Sequence, residues 1–172
     1  MNSIFKEQIV KRQNNSVDKL KKVGIVILGI ILTAVGTMFF QQFGLFIAVG
    51  VVYGMYYMFQ KFDVEYEYVF TNGDLDIDMI FSKSKRKKGL SIDVKKIEIM
   101  AAVKDKQYER EVERADTVLD FSKGQVLDST YVAIFSKDGK RTKLIFDPNE
   151  VLLESIKQYI PNKLKWKKYG NF

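Results

Sequence analysis

The hydrophobic pattern divides the chain into two parts of different character. Residues 23–60 contain no charged side chain, whereas polar and apolar residues alternate through much of the rest. The uncharged part holds two apolar runs, residues 23–40 and 43–59, which are separated by two glutamines. A helix rises about 1.5 Å per residue, so each run covers roughly 26 Å, at the short end for a bilayer core. The pattern predicts a transmembrane helical hairpin.

Three other structures compete with this hairpin. A signal peptide does not fit, because 22 residues precede the first run and a second apolar run follows at once. A buried hairpin of a soluble protein would need a larger domain to cover it than this chain provides. A re-entrant loop that enters the bilayer from one face remains open, because the predicted turn is so short.

The charges beside the two runs predict their orientation. Lys19, Lys21 and Lys22 precede the first run, Lys61 follows the second, and the turn between them is uncharged. Lysines near span ends favour the cytoplasmic side. We therefore expect a multi-pass protein of the cytoplasmic membrane with both termini in the cytoplasm.

Small residues recur within the predicted spans, and Gly50 and Gly54 form a G-x-x-x-G step. Such residues let two helix backbones approach closely. Packing of one span on the other is the first interpretation, and a homodimer contact is the second. The candidate span-packing residues are Gly29, Thr33, Gly36, Gly50 and Gly54.

Residues 1–22 form a basic N-terminal segment. Apolar and basic side chains within residues 1–13 predict a short helix lying at the membrane interface. Asn14 and Asn15 end this helix, and Ser16 is the predicted cap of the next one.

A β-hairpin is predicted over residues 63–82. Apolar side chains alternate along both halves, and Asn72-Gly73 between them is a strong turn signal. A two-residue turn sets each apolar residue of one strand opposite an apolar residue of the other. The other face of the hairpin is acidic. In this register Glu67 lies opposite Asp78, and such a like-charge pair costs some stability.

Residues 63–161 as a whole are predicted to form one β-rich domain. A loop or short helix covers residues 104–114, and a helix opens at Asp147-Pro148-Asn149 and ends before Pro161. The domain then holds about seven short antiparallel strands and a C-terminal amphipathic helix, followed by a basic aromatic tail at 162–172. After the first hairpin, the predicted strands are 89–94, 96–103, 117–122, 131–136 and 141–146.

This order of elements resembles a pleckstrin-homology (PH)-like barrel, in which the final helix closes one open end. The stretches EYEYVFTNGDLDIDMIFSKSKRKK, LSIDVKKIEIMA and LIFDPNEVLLESIKQYIP resemble an uncharacterised family of small bacterial two-span membrane proteins with a cytoplasmic PH-like domain. The resemblance implies an α+β membrane protein with a transmembrane hairpin and a PH-like antiparallel barrel. It supplies no activity and no catalytic residue.

The inventory of reactive side chains is small. The chain has no cysteine and no histidine, which excludes disulfides, thiol nucleophiles, thiolate zinc sites and imidazole chemistry. Asp74, Asp76 and Asp78 have the spacing that opens a calcium loop, but the required glycine is missing. We therefore expect no enzyme activity, no catalytic residue, no metal and no cofactor.

The net charge of +7 is concentrated in three clusters, in residues 1–22, 83–88 and 161–172. Separate clusters favour a membrane surface with anionic headgroups over nucleic acid, which needs a continuous basic face. The second hairpin strand returns beside the first, so the 83–88 run is predicted to be a loop at the bilayer; a solvated loop is the alternative. The candidate membrane-surface residues are Lys83, Lys85, Arg86, Lys87, Lys88, Lys163, Lys165, Trp166, Lys167 and Lys168.

The sequence thus predicts a membrane-anchored interaction or scaffold module on the cytoplasmic face, non-enzymatic, with an unidentified protein partner. The first alternative is a regulator that senses anionic lipid or envelope stress. The second is a small accessory subunit of a membrane transporter.

Overall fold

The computed structural model describes residues 4–166, which form two compact units. The β domain comprises residues 4–13, 65–80 and 86–166, and the helical unit comprises residues 14–64 and 81–85. The strands are β1 (Phe5–Lys11), β2 (Val64–Thr71), β3 (Asp74–Phe81), β4 (Lys85–Asp93), β5 (Ile97–Ala102), β6 (Thr117–Asp120), β7 (Tyr131–Lys137), β8 (Lys140–Phe146) and β9 (Leu164–Lys165). The helices are α1 (Ser16–Phe39), α2 (Gly44–Gln60), α3 (Glu109–Glu113) and α4 (Glu150–Tyr159).

The segment before the apolar runs is a strand, so the predicted interfacial helix is wrong. All seven residues of β1 pair with β2 in antiparallel register, from Phe5 opposite Thr71 to Lys11 opposite Glu65. Burial alternates with the pleat, since Val10 is 2% exposed and its neighbour Ile9 is 56% exposed. A helix of this length would leave about four N–H groups unpaired, whereas an available strand edge satisfies them.

The pairing of β1 with β2 makes the helical unit an insertion between two neighbouring strands. The chain leaves β1 at Lys11 and re-enters the β domain at Glu65, which is the residue that Lys11 faces. The two ends of the insertion are therefore fixed at adjacent points of one sheet.

α1 begins with a capping box built on Asn15, not on Ser16 as predicted. The Asp18 N–H donates to Asn15 Oδ1 at 2.8 Å, and the Asn15 N–H donates to Asp18 Oδ2 at 3.3 Å. Both partners satisfy amides that a helix start leaves free. α1 thus starts several residues before its apolar run.

Two helical segments, Ser16–Phe39 and Gln41–Gln60, are long and apolar enough to cross a membrane. Only 6% and 0% of their most apolar stretches are buried within the structure. Their large apolar side chains are therefore mostly exposed, unlike those of a helix in a soluble core.

The first predicted hairpin is confirmed as β2 and β3. Asn72 and Gly73 form the two-residue turn with φ of 51° and 105°. A side chain at Gly73 would also meet the ring of Tyr159, because a Cβ there would lie 3.0 Å from it. Tyr68 and Phe70 of β2 are fully buried, as the alternation predicted.

The strands form two sheets within residues 4–166, with the orders β1-β2-β3-β4 and β6-β8-β7-β5-β9. The prediction of about seven antiparallel strands in one barrel is wrong in detail: nine strands are described, and the sheets do not close into a barrel. β6 and β9 also pair in parallel, with β8 and β5. The core lies between the sheets, where the Tyr68 ring meets Phe146 edge-on at 5.7 Å.

The predicted C-terminal helix is confirmed as α4. Asn149 caps it by accepting from the Leu152 N–H at 2.8 Å, and the helix buries Leu152 and Ile156. Tyr159 near its end packs edge-on against Phe70 of β2 at 5.5 Å. The predicted loop or short helix at 104–114 contains α3, which packs against β5 and β7.

Candidate functional site

Small residues bring α1 and α2 together. A Cβ added at Gly29 would lie 2.5 Å from Met55 Sδ, and one at Gly36 would lie 2.9 Å from Ile47 Cγ2. The Thr33 hydroxyl donates to the Gly29 carbonyl at 2.9 Å, so this polar group is satisfied within its own helix. Gly29 and Gly36 thus lie in the contact between the two helices.

Gly50 and Gly54 face the other way. Apart from the neighbouring backbone of α2 itself, a Cβ added at either position would meet no atom of residues 4–166 within 4 Å. The G-x-x-x-G step is therefore left open on α2 and is not used to pack α1.

The foot of α2 is tied to the turn between β3 and β4. The Ser82 N–H donates to the Asp63 carbonyl at 2.8 Å, and its hydroxyl donates to the Gln60 carbonyl at 2.9 Å. Ser82 and Lys83 adopt left-handed conformations with φ of 47° and 56°. The Gln60 carbonyl at the end of α2 thus accepts from both the Ser82 hydroxyl and the Asp63 N–H.

Three lysines lie over two aromatic rings at this end of the helical unit. We call these five residues the collar: Lys22, Lys61, Lys85, Tyr57 and Phe62. Lys22 Nζ is 5.4 Å from the centroid of Phe62. Lys61 Nζ and Lys85 Nζ are 5.7 and 5.3 Å from the centroid of the same Tyr57 ring. Aromatic rings and snorkelling lysines are typical of the level of lipid headgroups.

A cleft of about 110 Å³ opens beside Tyr57. Its lining contains two lysines and no acidic residue. The lining residues are Tyr57, Gln60, Lys61, Phe81, Ser82, Ser84 and Lys85.

The basic run that was predicted to be a loop is a tight turn followed by β4, which begins at Lys85. Arg86 binds both carboxylate oxygens of Glu67, at 2.8 and 3.0 Å, and approaches Asp78 at 3.8 Å. This contact offsets the predicted repulsion between the two acidic residues. Lys88 Nζ lies 3.9 Å from Asp76 Oδ1, whereas Lys83 and Lys87 are exposed.

The basic tail is partly built into the second sheet. Lys163 Nζ donates to the Lys95 carbonyl at 2.7 Å, and the Nζ of Lys165 in β9 is 5.7 Å from the centroid of the Tyr108 ring. Lys157 Nζ is 5.3 Å from the centroid of the Trp166 ring. The other two predicted tail contacts, Lys167 and Lys168, lie outside the described residues.

The model of one protein family matches residues 2–166, and its description is bacterial PH-like domain (DUF6106). The chain belongs to this family. The predicted resemblance to an uncharacterised bacterial PH-like family is therefore confirmed. Comparison with curated proteins and with solved structures gave no match.

The matched range includes β1 and both apolar helices, together with the β-rich part of the chain. The family thus supports two apolar helices combined with a PH-like domain. PH-like domains are typically interaction modules, and many of them bind lipids or proteins. Fold alone does not assign a function, so the site must carry the argument.

Sequence reasoning missed a buried polar cluster around Asp147. Its carboxylate accepts from the Lys123 N–H at 2.6 Å and from the Thr130 hydroxyl at 2.5 Å. The Asp147 N–H donates to the Tyr68 hydroxyl oxygen at 3.3 Å, and that hydroxyl donates to the Phe121 carbonyl at 2.5 Å. Burial raises the pKa of the Tyr68 hydroxyl, which keeps it a neutral donor.

This cluster fastens the elements of the β domain together. Gln8 of β1 donates from Nε2 to the Asp147 carbonyl and accepts from the Asn149 N–H. In the sequence, Asp147 signals only the start of a helix, because its partners are distant in the chain. All these hydrogen bonds are internal, so the cluster has a structural role.

Proposed function

We propose that this protein is a membrane-anchored interaction module of the PH-like type, in which the α1–α2 hairpin crosses the cytoplasmic membrane. The observation that carries the proposal is the insertion of the hairpin between paired strands, with Lys11 opposite Glu65. Both ends of the hairpin then belong on one side of any membrane that it enters. Two spans, or a re-entrant loop, satisfy this condition, and a single span does not.

The exposure of α1 and α2 argues against helices of a soluble core, and the pairing of β1 with β2 argues against a signal sequence. A soluble core helix is mostly buried, whereas these two expose their apolar side chains. Exposed apolar surface of this extent is costly in water. Cleavage of α1 as a signal sequence would remove β1, which is a full member of the first sheet.

The charges support a cytoplasmic β domain. Lys19, Lys21 and Lys22 lie before the apolar part of α1, Lys61 follows α2, and the connection Gln41–Phe43 is uncharged. This asymmetry favours the orientation in which the lysine-rich end is cytoplasmic. The β domain then lies on the cytoplasmic face and the hairpin tip on the other.

A non-enzymatic binding role fits the β domain. PH-like domains are typically non-catalytic. β1 and β4 are the edge strands of one sheet, and an exposed strand edge offers backbone hydrogen bonds to an extended peptide. Gly50 and Gly54 offer α2 a contact with a second copy in the bilayer.

Sensing of anionic lipid is the second candidate, and the collar favours it. Lys83 and Lys85 belong to the same compact unit as the hairpin, which supports their proposed contact with headgroups. Arg86 and Lys88 are held by carboxylates, so their contribution to lipid contact would be smaller. Lys87 and the tail residues remain proposed contacts.

Excision of the hairpin tests the proposal. Replacing residues 14–63 by a short Gly-Ser linker is expected to release a folded, soluble β domain, because Lys11 and Glu65 are already adjacent. The full chain should stay in the membrane pellet after alkaline carbonate extraction. Fractionation and far-ultraviolet circular dichroism measure both results.

The matched control carries the same linker after residue 13 with the hairpin kept, and it should remain in the membrane. Release of the full chain by carbonate, or membrane retention of the excised chain, would contradict the anchor. An excised chain that is unfolded would contradict the insertion.

A further inference from the structure

We propose that the cleft at the foot of α2 binds one phosphate group, that of an anionic phospholipid, with Lys61 and Lys85 as its cationic contacts. The proposal rests on the membrane anchor proposed above. It goes beyond general surface attraction by assigning a single site.

The first argument is the state of the two lysines. Lys61 and Lys85 make no ion pair with any residue between 4 and 166, although Arg86 and Lys88 on the adjoining strand do. Both ammonium groups lie within 6 Å of the centroid of one ring, that of Tyr57. Both lysines line the same cleft and no carboxylate lines it with them, so an anion in the cleft would be attracted by both charges.

The second argument is the chemistry of the cleft. Its 110 Å³ is several times the space that one water molecule needs. Residues with ammonium, hydroxyl and amide groups line it, namely Lys61, Lys85, Ser84 and Gln60, and no carboxylate does. A phosphate group needs several donors and net positive charge, and the cleft offers both.

The third argument is the position of the cleft along the hairpin. It lies where the uncharged helix ends, beside Tyr57 and before Asp63. Aromatic residues at span ends mark the headgroup level, which is the level of lipid phosphates. The negative end of the α2 dipole opposes an anion there, but the Ser82 hydroxyl already donates to the Gln60 carbonyl.

Binding to purified full-length protein tests the site. In detergent micelles, native mass spectrometry should detect one tightly bound phosphatidylglycerol, with affinity several-fold above that for phosphatidylcholine. The double variant Lys61→Gln/Lys85→Gln should weaken phosphatidylglycerol binding at least tenfold. The matched control Lys137→Gln/Lys140→Gln removes the same charge from the exposed β7–β8 turn and should change it less than twofold.

A third measurement adds inorganic phosphate alone, which tests whether the phosphate group bound in the cleft comes from a lipid headgroup or from free phosphate. If millimolar inorganic phosphate removes the bound lipid, a lipid headgroup would be contradicted as the source of that phosphate group. Unchanged lipid binding by the double variant would overturn the site. Carbonate extraction of the same variants tests the membrane anchor independently of lipid binding. A chain that stays in the membrane but binds no phosphatidylglycerol would contradict the phosphate site and would still agree with the anchor.

Discussion

Val10→Asn is expected to lower the free energy of unfolding of the β domain by about 3 kcal/mol, whereas Ile9→Asn should change it by less than about 0.5 kcal/mol. Val10 is 2% exposed on the inner face of β1, so the substitution removes apolar burial and places an amide in the core. Ile9 is 56% exposed on the opposite face. Chemical unfolding of the detergent-purified chain, monitored by circular dichroism, measures both.

The pair of variants separates a strand from an interfacial helix. In a helix, positions 9 and 10 would share the apolar face, so both substitutions would weaken membrane contact and neither would destabilise the β domain. Equal effects of the two substitutions would therefore contradict the pairing of β1 with β2.

Asp147→Ala is expected to cost the β domain about 3–5 kcal/mol, because one buried and one half-buried donor lose their carboxylate acceptor at once. The Lys123 N–H and the Thr130 hydroxyl would be left unpaired beside a residue that is 2% exposed. Asp147→Asn should lower the free energy of unfolding by an intermediate amount. The amide oxygen still accepts one hydrogen bond, but the NH₂ group faces a donor instead of accepting from it. Thermal and chemical unfolding of the full chain measure the series.

Asp128→Ala is the matched control. The Asp128 side chain is 82% exposed and pairs with Lys104 at 2.7 Å, so its loss should cost less than about 0.5 kcal/mol. If Asp147→Ala were as mild as this control, the buried cluster would not be what fastens β1, β8 and α4.

The parts of the fold that the sequence predicted have local signals. The β2–β3 hairpin follows from alternation and Asn72-Gly73, and α4 follows from Asn149 and Pro161. β1 has no such signal, because its partner β2 begins more than 50 residues later, after the whole helical unit. A short stretch with apolar residues at 4, 5, 9 and 10 fits a helix equally well until that partner is known.

The candidate site was predicted only in part for the same reason. The basic run and the aromatic end of the second apolar run were visible as composition. The contacts that these residues make could not be predicted. Arg86 binds Glu67 and Lys85 lies over Tyr57, and both contacts depend on where β4 begins. Charge counts do not distinguish a lysine held by a carboxylate from one that faces open space.

The central claim is that the hairpin is inserted between β1 and β2 and crosses the membrane, leaving the β domain on one side and the tip on the other. The chain has no cysteine, so single substitutions give unique labels. Suitable positions are Gln42→Cys at the tip, Lys6→Cys in β1 and Lys137→Cys at the end of β7.

Labelling of bacterial cells with a membrane-impermeant maleimide tests this claim most directly. We expect Gln42→Cys to react from outside in intact cells, and Lys6→Cys and Lys137→Cys to react only after the membrane is permeabilised. Labelling of Lys6→Cys and Lys137→Cys on opposite sides, or a Gln42→Cys that reacts only after permeabilisation, would contradict a spanning hairpin inserted between the two strands.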